Sequence, residues 1–122
     1  MRLTNHEIWL AYPCLESLTE LALPPKMSLR ITALAVMLLN PYRAIERERV
    51  KLVNKYGVLD EKTEQFTVDL SGESAADFLS EFGGLLIEEW DGDFVFSKVR
   101  MESNGIDENI LAPLVGKFIE RV

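Results

Sequence analysis

The 122-residue chain has one cysteine, Cys14, and one histidine, His6. A single cysteine excludes an intrachain disulfide and a zinc site built from cysteines, and fits a reducing compartment. A single imidazole leaves any serine or cysteine nucleophile with one candidate base. His6 sits beside an expected helix start and reads as a surface residue. Cys14 follows Pro13 on an amphipathic segment and reads as a small apolar packing residue. Long hydrophobic runs are also missing: the most apolar stretch, Ile31 to Leu39, is about half of what a membrane span needs. Residues 1–7 are polar where a signal peptide would carry its apolar region. The expected location is therefore the cytoplasm, with no membrane partner. Glycine-rich phosphate loops are absent too, because Gly83-Gly84 lacks the further residues such loops require.

Positive charge is scarce in the second half. Residues 1–56 carry eight Lys/Arg against five Asp/Glu, whereas residues 57–122 carry five against fifteen, so net charges of +3 and −10 make up the total of −7. Phosphate repels such an acidic half, which makes nucleic acid an unlooked-for partner. A basic protein would be attracted instead. The apolar fraction of 48% and charged fraction of 27% are those of an ordinary globular chain. The length suits a single domain over 1–122, divided into a helical hairpin (1–57) and an acidic α/β portion (58–122).

Thr4-Asn5-His6-Glu7 has capping-box spacing, and Ile8, Ala11, Tyr12, Leu15 and Leu18 follow on one helical face. Pro13 is expected to bend this helix, and Leu23-Pro24-Pro25-Lys26 to end it. Ser28 is the expected cap of a second helix. Ala35, Leu38, Tyr42, Ile45, Leu52 and Tyr56 then form a heptad seam, interrupted at Arg49. At Asn40-Pro41 the helix could restart or continue with a kink, and the unbroken apolar phase favours one kinked helix. Gly57 suits a left-handed terminus. Arg49 either fixes register through a carboxylate or packs its stem at the edge with the guanidinium in solvent, the second being favoured. Arg43, Arg47, Lys51 and Lys55 form an i, i+4 basic ladder.

Beyond Gly57 the pattern predicts a loop over 58–65 and a strand over 65–70 with Phe66, Val68 and Leu70 on one side. It then predicts a helix capped at Ser74 that buries Phe78, Phe82, Leu85 and Leu86. Gly83-Gly84 weakens this helix unless close packing requires it. After the Asp91-Gly92-Asp93 turn a second strand is expected over 94–101, antiparallel to the first. A last helix should begin at Asp107 and carry Ile110, Leu111, Leu114, Val115, Phe118 and Ile119. The expected fold class is α+β, mostly helical: a helical hairpin with a long kinked second helix, then a β-α-β-α portion with two antiparallel strands.

Glu88, Glu89, Asp91 and Asp93 are the densest carboxylates, but they lack calcium-loop spacing, and a solvated acidic turn is the plainer reading. A carboxylate hydrolase would need such a pair to share a cleft. No catalytic residue, metal or cofactor is expected.

The run Leu3-Thr4-Asn5-His6-Glu7-Ile8, the Leu23-Pro24-Pro25-Lys26 break, Pro41-Tyr42-Arg43-Ala44-Ile45-Glu46 and Leu52-Val53-Asn54-Lys55-Tyr56-Gly57 together resemble a family of short, uncharacterised tailed-phage and prophage proteins. The likeness covers residues 3–61, is looser beyond, and departs at Pro13 and at Asp91-Gly92-Asp93. It implies a phage origin and carries no catalytic residue with it. The expected function is accordingly a phage accessory protein that binds a protein during virion assembly or within the virion. The alternative is a small acidic inhibitor of a host protein, a nucleic-acid-binding one being one case. The candidate partner surface comprises Arg43, Arg47, Val50, Lys51 and Val53 on the second helix, with Glu88, Glu89, Asp91 and Asp93. A phage structural or host protein is the expected partner, and homo-oligomerisation remains open.

Overall fold

A computed structural model of the chain describes residues 1–69, 72–102 and 104–122. Helix α1 (Asn5–Thr19) opens on the capping box foreseen from its spacing. The Thr4 hydroxyl accepts from the Glu7 amide at 3.1 Å, and the Glu7 carboxylate accepts from the Thr4 amide at 3.0 Å. The helix continues through Pro13. Helix α2 (Pro25–Tyr56) starts at Pro25, ahead of the expected Ser28. Proline suits a first helical position, where its missing N–H would have no partner anyway. The Ser28 amide already donates inside the helix, to Pro24 O at 2.9 Å. At 32 residues α2 is about 48 Å long. It runs unbroken across Asn40-Pro41, and Pro41 is buried. Continued apolar phase on either side outweighs the one backbone bond that Pro41 cannot make.

The two helices pack along Ile8, Ala11, Leu15 and Leu18 of α1 and Ile31, Leu34, Ala35, Leu38 and Ile45 of α2, all buried. Farther along, Tyr12 stacks on Tyr42 with ring centroids 4.5 Å apart. Arg49 interrupts the seam, but the favoured reading that leaves its guanidinium in solvent is corrected: Glu46 accepts from it at 2.9 and 3.0 Å, and Glu46 also accepts from Trp9 Nε1 at 2.9 Å. The link from α2 to α1 is made by Glu46, which Arg49 holds in place from one turn along the same helix.

Gly57 ends α2 with φ −86°, so the expected left-handed terminus is corrected. What demands glycine is close approach: a Cβ there would lie 2.4 Å from Val53 O and 2.9 Å from Thr67 O. The expected loop after it is instead strand β1 (Val58–Asp60), paired antiparallel with β2 (Gln65–Thr67). The turn between them closes on Glu64, whose φ is 56°. Phe66 is exposed rather than facing a core, and only Val68 of the foreseen apolar side is half-buried; Leu70 lies outside the described residues.

Helix α3 (Ser74–Leu86) includes Ser74 in its first turn instead of using it as a cap. Phe78 and Phe82 are buried as expected, Leu85 and Leu86 half-buried. Phe82 meets the Trp9 ring edge-on at 5.3 Å. The expected strand over 94–101 contracts to β3 (Val99–Met101). It pairs parallel with β4 (Ile119–Arg121), not antiparallel with β2. The expected last helix likewise contracts to α4 (Glu108–Leu111). Pro113 has no N–H for Asn109 O, and Gly116 with φ 107° turns the chain back so that Ile119 enters β4. Four of the six apolar residues expected on the last helix still reach the core: Leu111, Leu114, Phe118 and Ile119 are essentially inaccessible, whereas Ile110 is half-buried and Val115 exposed. Phe118 stacks on Phe96 at 5.4 Å. The class is α+β and mostly helical, with an N-terminal helix pair, as the pattern implied.

Asn5 joins the two halves. Its amide N–H donates to Glu88 O at 2.8 Å and its side-chain Nδ2 to Leu85 O at 2.9 Å, beside Trp90 N to Leu3 O. The acidic portion is thus fastened to the start of α1.

Candidate partner-binding surface

Outward from the seam, α2 carries a second stripe: Leu29, Ala33, Val36, Asn40, Arg43, Arg47, Lys51 and Asn54. Steps of three or four residues keep them on one face. All are exposed. The stripe changes character along its length. Leu29 (71% exposed) and Val36 (66%) flank Ala33 in the first half, and three cations occupy the second. Beside the apolar half runs a depression of about 560 Å³, lined by Arg30, Ala33, Leu34, Met37 and residues 95–99. Val95 stands on its rim at 92% exposure. Water-exposed apolar side chains gathered in this way, rather than scattered singly, mark association surfaces.

The nine residues singled out from the sequence fall into two separate groups. Arg43, Arg47 and Lys51 share the outward stripe of α2. Lys51 is held by Glu48 at 2.9 Å, and the ladder's fourth member, Lys55, is drawn to Glu81 of α3 at 3.3 Å. Val50 is exposed above a second depression, of about 530 Å³, bordered by Gln65 and Phe66 of the hairpin. Val53 instead packs half-buried against the core. Glu88, Glu89, Asp91 and Asp93 are exposed, but at the far end of α3 next to residues 1–5. The Met1 amino group pairs with Asp93 and keeps that carboxyl below the ordinary value. The two groups do not form one surface.

Leu29, Ala33, Val36 and Val95 were missed by sequence reasoning. Their signal was available: a heptad stripe parallel to the buried seam and offset from it, in a stretch (21–45) that has three cations and no carboxylate.

Groups with chemical potential elsewhere are held in structural work. Burial alone would raise the Glu7 carboxyl, but Lys117 and the Thr4 cap outweigh it and keep it low. Arg49, followed by Trp9, holds Glu46 below its usual range against the opposing effect of burial. Cys14 is pushed up by burial, which disfavours the thiolate a nucleophile needs. Its Sγ lies 3.9 Å from Asn109 O, the carbonyl that Pro113 leaves without an N–H partner. His6, eight residues earlier on the same helix, is about 12 Å away along the axis and cannot act as its base. Among the described residues no three His, Cys, Asp or Glu side chains are grouped to hold a metal ion. Nor is any helix among them long and apolar enough to cross a membrane.

No family model matches this chain, and neither does any curated protein or solved structure. The reading of the surface therefore rests on its own physical chemistry.

Proposed function

We propose that this protein works by binding another protein through the outward face of α2. The observation that carries this reading is the exposed apolar row Leu29, Ala33 and Val36 beside the depression lined by Met37 and residues 95–99. Leu29 and Val36, each about two-thirds exposed, would gain roughly 1–2 kcal/mol if a partner buried them fully, so the face has energy to contribute that folding leaves unused. The resemblance of residues 3–61 to tailed-phage and prophage proteins supports a role in virion assembly, or within the virion, with a phage structural protein as the partner.

Affinity capture of the tagged chain from host cells, before and after phage induction, tests this. A phage structural protein should be recovered by the native chain and lost with Leu29→Asn/Val36→Asn. Recovery unchanged by that variant, or no phage protein recovered at all, would overturn the reading.

A second reading is favoured by one observation: residues 63–97 hold nine carboxylates and no Lys or Arg. Such a surface suits an inhibitor that occupies the basic groove of a host protein. Capture of a basic host protein that is released by salt would favour it, because screening weakens exposed charge pairs.

A further inference from the structure

Gly83 and Gly84 have no explanation inside the chain. A Cβ at either position would meet nothing within 4 Å, so neither close packing nor steric need accounts for them. Both lie within α3, where each costs about 1 kcal/mol relative to alanine. They belong to an outward face with Ala76, Ser80 and Ile87, spaced three or four residues apart, and Leu79 flanks it. Leu79 is 56% exposed and Ile87 78%. Small residues on a helix let a second helix approach closely, and apolar neighbours reward the approach.

Apart from Glu81, which Lys55 pairs at the edge, the charges around this face are of one sign. Glu73, Asp77, Glu88 and Glu89 are exposed, and none forms an ion pair among the described residues. The apolar half of the α2 stripe has the opposite setting. Lys26, Arg30 and Arg43 surround Leu29, Ala33 and Val36, are exposed, and likewise form no ion pair among the described residues. The molecule therefore carries two unpartnered helical faces, both apolar at the centre, one rimmed by carboxylates and the other by cations.

They cannot meet within one chain. Helix α3 is fixed by Phe78 and Phe82 in the core and by the Phe82–Trp9 ring contact, on the side away from its glycine face, and by Glu81–Lys55 at the edge of that face. We infer that the two faces meet between molecules, the α3 face of one copy docking on the Leu29–Ala33–Val36 face of the next. Like faces repel: two α2 faces would oppose cations and two α3 faces carboxylates. The contact is therefore head-to-tail, which propagates into a row or ring unless its ends are blocked. This inference rests on the reading of α2 as a protein-binding face and names a second copy as an occupant.

Sedimentation velocity on the full chain tests it, in low salt and at about 1 M salt, where the Debye length shrinks to about 3 Å. The native chain should self-associate below about 1 mM, and high salt should weaken this by about tenfold or more. Leu29→Asn/Val36→Asn removes one face and Leu79→Asn/Ile87→Asn the other. All four side chains are exposed, so folding should survive, and circular dichroism checks that. Each variant alone should be about tenfold or more weaker in self-association. An equal mixture of the two should recover a dimer that grows no further, because each contributes its one intact face. A native chain that stays monomeric to about 1 mM in low salt overturns the inference, as does a mixture no more associated than its components. Neither result would touch capture of a different protein through α2, so the two readings fail separately.

Discussion

Residues 1–57 and residues 58–122 are held in shape by different means. In the first stretch two helices of 15 and 32 residues carry their own instructions: a capping box at Thr4 and Glu7, proline at a helix start, and an apolar seam that persists across Pro41. In the second, each strand is three residues long, and an isolated ladder of that size has little stability of its own. What fixes those strands is what they touch. Strand β3 is completed by β4 nearly twenty residues later, and the segment leaving α3 is tied to Leu3 and Asn5. Long elements are specified locally and short ones by their surroundings, so the second region should depend on the first more than the reverse.

The sharpest way to break that asymmetry is a pair of cavities. Phe118→Ala should cost about 4 kcal/mol, since a fully buried aromatic is removed and Phe96 loses its stacking partner. Hydrogen exchange should then show protection lost around β3 and β4 while the centre of α2 stays protected. Leu38→Ala, at about 3 kcal/mol, should instead lower protection in both regions together. If Phe118→Ala unprotects α2 equally, the asymmetry is wrong.

A smaller effect tests the joint between the regions. Gly57→Ala would set a Cβ against the carbonyls of Val53 and Thr67, both backbone atoms that cannot swing aside. We expect a loss of about 2 kcal/mol. It should appear as loosening of the β1–β2 hairpin and the last turn of α2, read by amide exchange at Val58 to Thr67.

The smallest expected effect lies within the helix pair. Glu46→Gln should cost about 1 kcal/mol at neutral pH, because Arg49 and Trp9 keep only a neutral acceptor. Arg49 holds the folded carboxyl below its ordinary value of 4.5. The stabilisation is therefore present above the unfolded value and is lost as pH falls through the folded one. Denaturation followed from pH 7 downward should show the native chain converging on the variant in acid. Parallel curves would argue against the linkage.

The same asymmetry explains which parts of the molecule could be read from its residues. Helix α1, its cap, the seam of α2 and the buried face of α3 follow from periodicity, which accumulates over many turns. The segments 58–60 and 99–101 offer three residues each, too few for alternation to stand out from chance. The final helix was misjudged because Ile110, Leu111, Leu114 and Phe118 keep helical spacing even though Pro113 and Gly116 break the backbone that would carry them. Burial was read correctly there except at Val115, which is exposed, and the local geometry was not. For the candidate surface, attention to the seam of α2 concealed the stripe beside it: exposed apolar residues register as a surface only once the neighbours that leave them uncovered are known.

Asn5 gives the architecture an order in time. Its Nδ2 partner, the carbonyl of Leu85, lies 80 residues downstream, and its backbone partner at Glu88 is later still. During synthesis α1 and α2 leave the ribosome first and can close on each other from contacts near in sequence. Throughout that interval the polar group that will seal the start of α1 faces water, and folding is completed only when the far end of α3 arrives to cover it. A chain ending between residues 57 and 85 would hold a helix pair whose latch is made but has nothing yet to catch.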